Sequence, residues 1–429
     1  AALVRVQMES GERTVLGASE RADVADVWLD PATRAPEAWA ADYLRREWRG
    51  LDPDASADLD FLDRQLSGDF SVTSRSADDS RWIVVEEAPT IAPRSYLYDR
   101  ADRAARRLTL LFRHWPALEQ APLQPMAAVE INARDGLTLV SYLTLPAGSD
   151  PDGDGRPQAP APLVIAPHDG PWARDSYGFS STHQWLANRG YAVMSVNFRG
   201  STGFGAAFLN AGAAAWSGRI QDDLLDAMRW AVDNGVARAD RVAIVGAGFG
   251  ALAALSGAAL AAAPYRCAAS YGAAAGLAML EGERGATPRS PLLDAGAITQ
   301  PVLLAYGARD GRVTPIQSDQ IAQSLRTRGV GLTYLVFPNE GRELLRQANR
   351  GAYLTVLEHF LGDCLGGRVE PVGAAFEGAS LYAMDGAVNV PGLTAFARRP
   401  VARTPAAGLS QANAPGPAAP EPITRTPPE

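Results

Sequence analysis

Hydrophobic and polar positions follow two different rhythms along this chain. In the first third the apolar runs are short and alternate with polar residues, as in FSVTSR (70–75), RWIVVEE (81–87), SYLYD (95–99) and RLTLLF (107–112). Period-two alternation broken by turn residues predicts antiparallel strands, and four in succession match one blade of a β-propeller. LVRVQM (3–8), RTVLG (13–17) and VADVWLD (24–30) are expected to belong to a preceding blade. A solitary antiparallel sheet is the plainer alternative. Residues 1–122 thus hold about two blades, against ~4–8 in a closed propeller, which leaves sheet edges and apolar faces open. The pair in AVEINARDGLTLVSYLTLP (127–146) hinges at Asp135-Gly136, a favoured turn dipeptide.

Beyond this the runs become continuously apolar: PLVIAPH (162–168), YAVMSVNF (191–198), RVAIVG (241–246), CAASYG (267–272), PVLLAYG (301–307) and LTYLVFP (332–338). Helical patterns at 218–235, 249–263, 317–328 and 349–363 lie between them. Buried strands alternating with helices predict a mainly parallel, doubly wound sheet covered on both faces, with its chemistry at the carboxyl ends of the strands. Residues 396–429, rich in Pro and Ala without periodicity, are expected to be a disordered tail.

Composition narrows the function. A net charge of −8 argues against a nucleic-acid partner, since phosphate neutralisation requires a basic face. No apolar run approaches the ~20 residues of a membrane span. Cys267 and Cys364 have no ligand neighbours at zinc spacing, so no metal is expected, and a single disulfide stays open. No cofactor is implied. The opening Ala-Ala-Leu-Val-Arg-Val lacks an initiator Met and a leader pattern, so a processed or truncated end is expected, and the compartment, cytoplasmic or periplasmic, goes unread.

One stretch carries the chemical question. VAIVGAGFGALAAL (242–255) reads as strand, tight glycine turn and helix, the shape of a nucleophile elbow that presents one side chain at its apex. The apex is Gly248.

HDGPWARDSYGF (168–179), QWLANRGYAVMSVNFRGSTGFG (184–205), WSGRIQDDLLDAMRWAV (216–232) and the elbow together resemble the prolyl oligopeptidase family of serine peptidases, closest to its bacterial dipeptidyl-peptidase and acylaminoacyl-peptidase-like members. ARDGRV (308–313), SDQIAQSL (318–325), YLVFPNEGR (334–342) and LGGRVEPVGAAFEG (365–378) extend the likeness. The resemblance implies a β-propeller followed by an α/β-hydrolase domain, here residues 123–395, with peptides or small acyl-peptides as ligands. A homo-oligomer or an active paralogous subunit is left open as partner.

The departures lie at the reacting positions. The family elbow Gly-X-Ser-Tyr-Gly-Gly is here Gly246-Ala247-Gly248-Phe249-Gly250-Ala251, so the nucleophile position is glycine. The triad acid is matched by Asp310. The general base of the family's Glu-Gly-His turn is replaced in Glu340-Gly341-Arg342. The oxyanion region holds Phe249, His168, Asp169 and Gly170, where the usual His-Gly-Gly-Pro has become His168-Asp169-Gly170-Pro171. The connection between Leu277 and Ser290 is shorter than usual.

Acyl transfer on this scaffold needs a hydroxyl, an imidazole to deprotonate it and a carboxylate to orient the imidazole. Gly248 has no oxygen, and a guanidinium offers donors only. Asp169, where it points toward the oxyanion hole, opposes the developing negative charge. The leading reading is therefore an inactive peptidase homologue with a binding or scaffolding role. Its rivals are a hydrolase with residual or altered activity and a fragment of a longer chain or decaying gene. Ser256 and Ser270 are expected to be structural, as are His168 and His359. Asp310 and Arg342 are expected to pair as a structural salt bridge. A sharper alternative joins Arg309, Arg312 and Arg342 in a cationic pocket for an anionic ligand such as a peptide C-terminus. Asp222 and Asp223 are expected to serve a helix dipole.

Overall fold

Three short antiparallel sheets stand ahead of the larger α/β unit. In this computed structural model residues 1–212, 218–260, 264–273, 291–311 and 315–398 are described. A hairpin, β1 (Leu3–Val6) with β2 (Arg13–Gly17), precedes a three-stranded sheet of β3 (Val24–Leu29), β4 (Pro36–Asp42) and β5 (Arg46–Gly50). Helix α1 (Pro53–Gln65) follows. A four-stranded meander then runs β6 (Asp69–Arg75), β7 (Arg81–Ala88), β8 (Ile91–Asp99) and β9 (Arg107–Arg113). The meander is the four-strand blade expected from the alternation.

Of the three runs expected in the preceding blade, only VADVWLD lies in this sheet; LVRVQM and RTVLG pair apart as the hairpin, and the partners of β3 are PEAWAAD and REWRG, which the alternation does not mark as strands. Alanine and proline weaken their strand signal, yet Ala38 and Ala40 are fully buried in β4. Helix α1 was also missed. Asp52 caps it by accepting from the Ala55 N–H at 2.8 Å, and Pro53 occupies its first turn. Its Leu62 packs with Trp28, Trp82 and Tyr98 between the two sheets. Trp28 lies 4.7 Å from Trp48 and 4.8 Å from Trp82, centroid to centroid, spacings at which aromatic pairs attract beyond simple burial. The open faces keep apolar side chains in solvent: Val15 on β2 and Leu111 and Phe112 on β9.

The α/β unit is built on nine strands in the order β10-β11-β13-β12-β14-β15-β16-β17-β18. These are β10 (Met126–Asn132), β11 (Thr138–Thr144), β12 (Ala161–Ile165), β13 (Ala192–Val196), β14 (Ala237–Ala247), β15 (Cys267–Tyr271), β16 (Val302–Gly307), β17 (Leu332–Phe337) and β18 (Tyr382–Asp385). Strands β12 to β17 are mutually parallel, and β10, β11 and β18 run antiparallel at the ends. The helices are α2 (Ser181–Asn188), α3 (Gly205–Ala211), α4 (Arg219–Asp233), α5 (Phe249–Ala258), α6 (Pro291–Asp294), α7 (Pro315–Thr327) and α8 (Gln347–Leu365).

Successive strand residues feed opposite faces, as a pleated sheet requires. Leu163, Ile165, Val242 and Ile244 pack against α4, α5 and α7 on one side. Val164, Ala243, Leu303 and Leu335 pack against α2 and α8 on the other. Cys267 on β15 and Cys364 on α8 form a disulfide with Cα atoms 6.3 Å apart, tying the second layer to the sheet. The one-turn helix Leu393–Phe396 buries Leu393 in this layer, so the ordered unit runs past residue 395. The tail expected beyond it falls, from residue 399, outside the described residues. No described helix is long and apolar enough to cross a membrane.

Asp222 and Asp223 do more than favour a helix N-terminus. Asp223, fully buried on α4, accepts from the backbone N–H and guanidinium of Arg199, whose other side pairs with Asp135. Asp222 pairs with Arg134. These pairs fasten the NFRG loop to the β10–β11 turn.

Candidate active site

The elbow is present in the backbone. β14 ends at Ala247, Gly248 has φ +57° and ψ −117°, and α5 begins at Phe249. L-residues rarely adopt that conformation, so the turn keeps the strained geometry of a nucleophile elbow while carrying the residue that bears it at least cost. The helix lies so close to the loop after β12 that a Cβ on Gly250 would fall 2.2 Å from the Pro167 carbonyl oxygen. The Gly248 N–H donates to the Tyr271 carbonyl at 2.9 Å, fixing the apex over β15.

Asp169 occupies the space in front of the apex. A Cβ on Gly248 would sit 2.2 Å from its Oδ1 and 2.6 Å from its Oδ2. Oδ1 accepts from the Phe249 N–H at 2.6 Å and from the Gly170 N–H at 2.8 Å. The Arg342 guanidinium donates to Oδ2. Burial opposes ionisation of Asp169, but the Phe249, Arg342 and Gly170 donors outweigh it and hold the carboxyl below its ordinary range. The backbone donor that follows the elbow apex is therefore already spent on a carboxylate of the same chain.

Arg342 is delivered by the turn after β17. Glu340, buried at the start of that turn, accepts from the N–H groups of Leu345 and Arg346 and from Asn349 Nδ2 at 2.6 Å. Those bonds anchor the turn to the start of α8 and project Arg342 toward β14. Asp310 follows β16, and a Cβ on Gly272 would meet both the Asp310 Oδ2 at 3.9 Å and the Arg342 carbonyl at 3.7 Å. The two residues thus converge at neighbouring strand ends, as expected. The ion pair of the arginine, however, is with Asp169 and not with Asp310, because the Asp169 carboxylate reaches into the space that the missing apex side chain leaves.

The remaining candidates are structural or peripheral. His168 donates from Nδ1 to the Asp169 carbonyl, has Nε2 2.8 Å from Ser201 Oγ, and stacks on Phe198 at 4.3 Å. Burial holds it below the ordinary imidazole range. Ser270 is the penultimate residue of β15, with Oγ buried, and Ser256 is half-buried on α5. His359 is half-buried on α8. Arg309 is exposed, and its backbone N–H donates to the Glu340 carbonyl. Arg312 and residues 277–290 lie outside the described residues. Elsewhere, Asp150, Asp152 and Asp154 bring carboxylate oxygens within 4.8 Å of one another on a loop, where Asp150 already accepts from the N–H groups of Gly153, Asp154 and Gly155.

A family model described as the prolyl oligopeptidase family matches residues 177–284 and 281–368, across the elbow, the acid strand and the arginine turn. Dipeptidyl aminopeptidase BIII of Pseudoxanthomonas mexicana is 44% identical over 418 residues, covering 92% of this chain. The chain belongs to the prolyl oligopeptidase family. Dipeptidyl peptidase family member 6 of Caenorhabditis elegans is 31% identical over 402 residues, covering 84% of this chain. The chain spans 60% and 54% of the lengths of these two prolyl oligopeptidase relatives. A puromycin-hydrolyzing peptidase of Mycobacterium tuberculosis superposes with a TM-score of 0.71 at 23% identity, over 86% of this chain and 59% of that one. The fold is that of the family: an α/β-hydrolase unit preceded by propeller blades.

Proposed function

We propose that this member of the serine peptidase family is catalytically silent and that it binds peptides or scaffolds other chains without cleaving them. The observation that carries this reading is the Asp169 carboxylate, hydrogen-bonded to the Phe249 N–H in front of an apex with no side chain. A developing oxyanion would have to displace that carboxylate or stand against its charge. The position of the base is taken by a guanidinium, which stays protonated and accepts nothing. Loss of nucleophile or base in a triad enzyme lowers kcat by roughly 10⁶, and here both are replaced.

The test is a fluorophosphonate probe on the purified chain, with an ester reporter followed in parallel. The expected outcome is no covalent adduct and no burst. Stoichiometric labelling of any serine, or a burst equal to the protein concentration, overturns the proposal in favour of a hydrolase working through another group.

A further inference from the structure

A cavity of about 480 Å³ opens on the α2 and α8 side of the elbow, within the size range of small-molecule sites. Its walls are largely apolar, with Val245, Tyr271, Leu344, Tyr353 and Leu354 among them. One acidic side chain in the lining, Asp175, forms no ion pair among the described residues. Its Oδ2 is buried without a hydrogen-bond partner. His168 and Arg174 are the charged groups that act on the carboxyl, and Ser195 hydrogen-bonds to it. His168 is kept neutral by burial. Arg174 turns away, giving its N–H groups to the carbonyls of Asp42, Tyr43 and Asp175 itself.

The other charges on the cavity do not compensate Asp175. Arg342 is neutralised by Asp169, and Glu343 and Arg350 lie exposed at its rim. His183, at the inner end, lies 3.0 Å from Thr144 Oγ1 and 2.9 Å from Ser195 Oγ, and burial lowers its pKa to about 4, so it too is neutral. A carboxylate in an apolar cavity is costly unless it is paired. We infer that this cavity is a binding site for a small apolar amine, whose ammonium group pairs with Asp175 while its hydrocarbon body covers Tyr271, Leu344 and Tyr353. Burial raises the Asp175 carboxyl above its ordinary range, against the lowering influence of His168, Ser195 and Arg174. The cavity borders the elbow, with Gly246, Ala247, Asp169 and Arg342 in its wall, but Asp175 is not one of the triad positions and the inference does not depend on the elbow being silent.

Isothermal titration of the full chain with 2-phenylethylamine, its neutral isostere 2-phenylethanol and the anionic 3-phenylpropionate tests this. The amine is expected to bind about ten- to a hundredfold more tightly than the alcohol, the range of a charge-assisted hydrogen bond, and the acid least of all. Asp175→Asn, nearly isosteric, should abolish the preference for the amine while the alcohol still binds. Leu354→Trp, which narrows the cavity, should weaken amine and alcohol together, with a melting curve confirming that each variant is folded. Equal affinity for amine and alcohol, an amine preference that survives in Asp175→Asn, or no heat from the amine up to about 10 mM with folded wild-type chain overturns the inference.

Discussion

Placing a serine at position 248 should destabilise the chain through Asp169 rather than through the hydroxyl. Two costs are separable. The apex backbone has φ +57°, where a side chain adds ~1–3 kcal/mol of strain. The new Cβ also lies 2.2 Å, 2.5 Å and 2.6 Å from Oδ1, Cγ and Oδ2 of Asp169, so the carboxylate must leave. Leaving breaks its bonds to the Phe249 N–H and to Arg342. Buried charge-assisted bonds are worth ~1.5–3 kcal/mol each. With the two side chains 44% and 33% exposed, solvent screening reduces each to about 1 kcal/mol.

Gly248→Ser alone should therefore cost roughly 3–5 kcal/mol. In an Asp169→Gly background the second cost has already been incurred, and the same change should cost only ~1–3 kcal/mol. Urea denaturation of wild type, both single variants and the double variant forms a cycle with an expected coupling of about 2 kcal/mol. Additivity within ~0.5 kcal/mol would show that Asp169 is not in the space described. On the proposed assignment of Arg342 to the position of the base, neither variant should gain triad activity.

Two further outcomes follow from the same contacts. Asp169 has a folded-state pKa below its unfolded value, so its pairing stabilises the fold above the usual carboxylate range near pH ~4 and is lost as pH falls through the lowered value; the gap in urea midpoint between wild type and Asp169→Asn should be widest near neutrality and close in acid. The Cys267–Cys364 bridge spans 97 residues, for which the chain-entropy account gives up to about 4–5 kcal/mol. Replacing both cysteines by serine should lower the stability of the α/β unit by several kcal/mol in that account, and unchanged denaturation curves would show that the bridge does not form.

Much of the site was legible in order along the chain, since each of its parts is a local motif. Gly246 to Ala251 is a run of glycines and alanines broken only by Phe249, between a buried strand and an apolar helix, and that pattern alone predicts a tight strand-to-helix turn. The arginine turn was equally readable, because Glu340-Gly341-Arg342 follows an apolar strand. The pairing of Arg342 was not readable. Asp310 and Asp169 are both carboxylates near strand ends, and choosing between them requires knowing that the side chain missing at Gly248 leaves room for Asp169 to enter. Strand β4 was illegible for another reason: alanines carry little strand preference, and it is the packing of Trp39 and its neighbours that makes them a buried strand.

By itself, then, the order of residues determined the two hydrophobic rhythms, the mainly parallel sheet, and a glycine at the elbow apex with an arginine in the turn after β17, because each of these is a property of neighbours in the chain. Tertiary structure decided which carboxylate meets which cation, that the donor beside the apex is occupied by Asp169, and that Asp175 Oδ2 is buried with no hydrogen-bond partner among the described residues. Those outcomes depend on distances between residues as far apart in sequence as Asp169 and Arg342, which only the packing of β12, β14 and β17 in one sheet brings together.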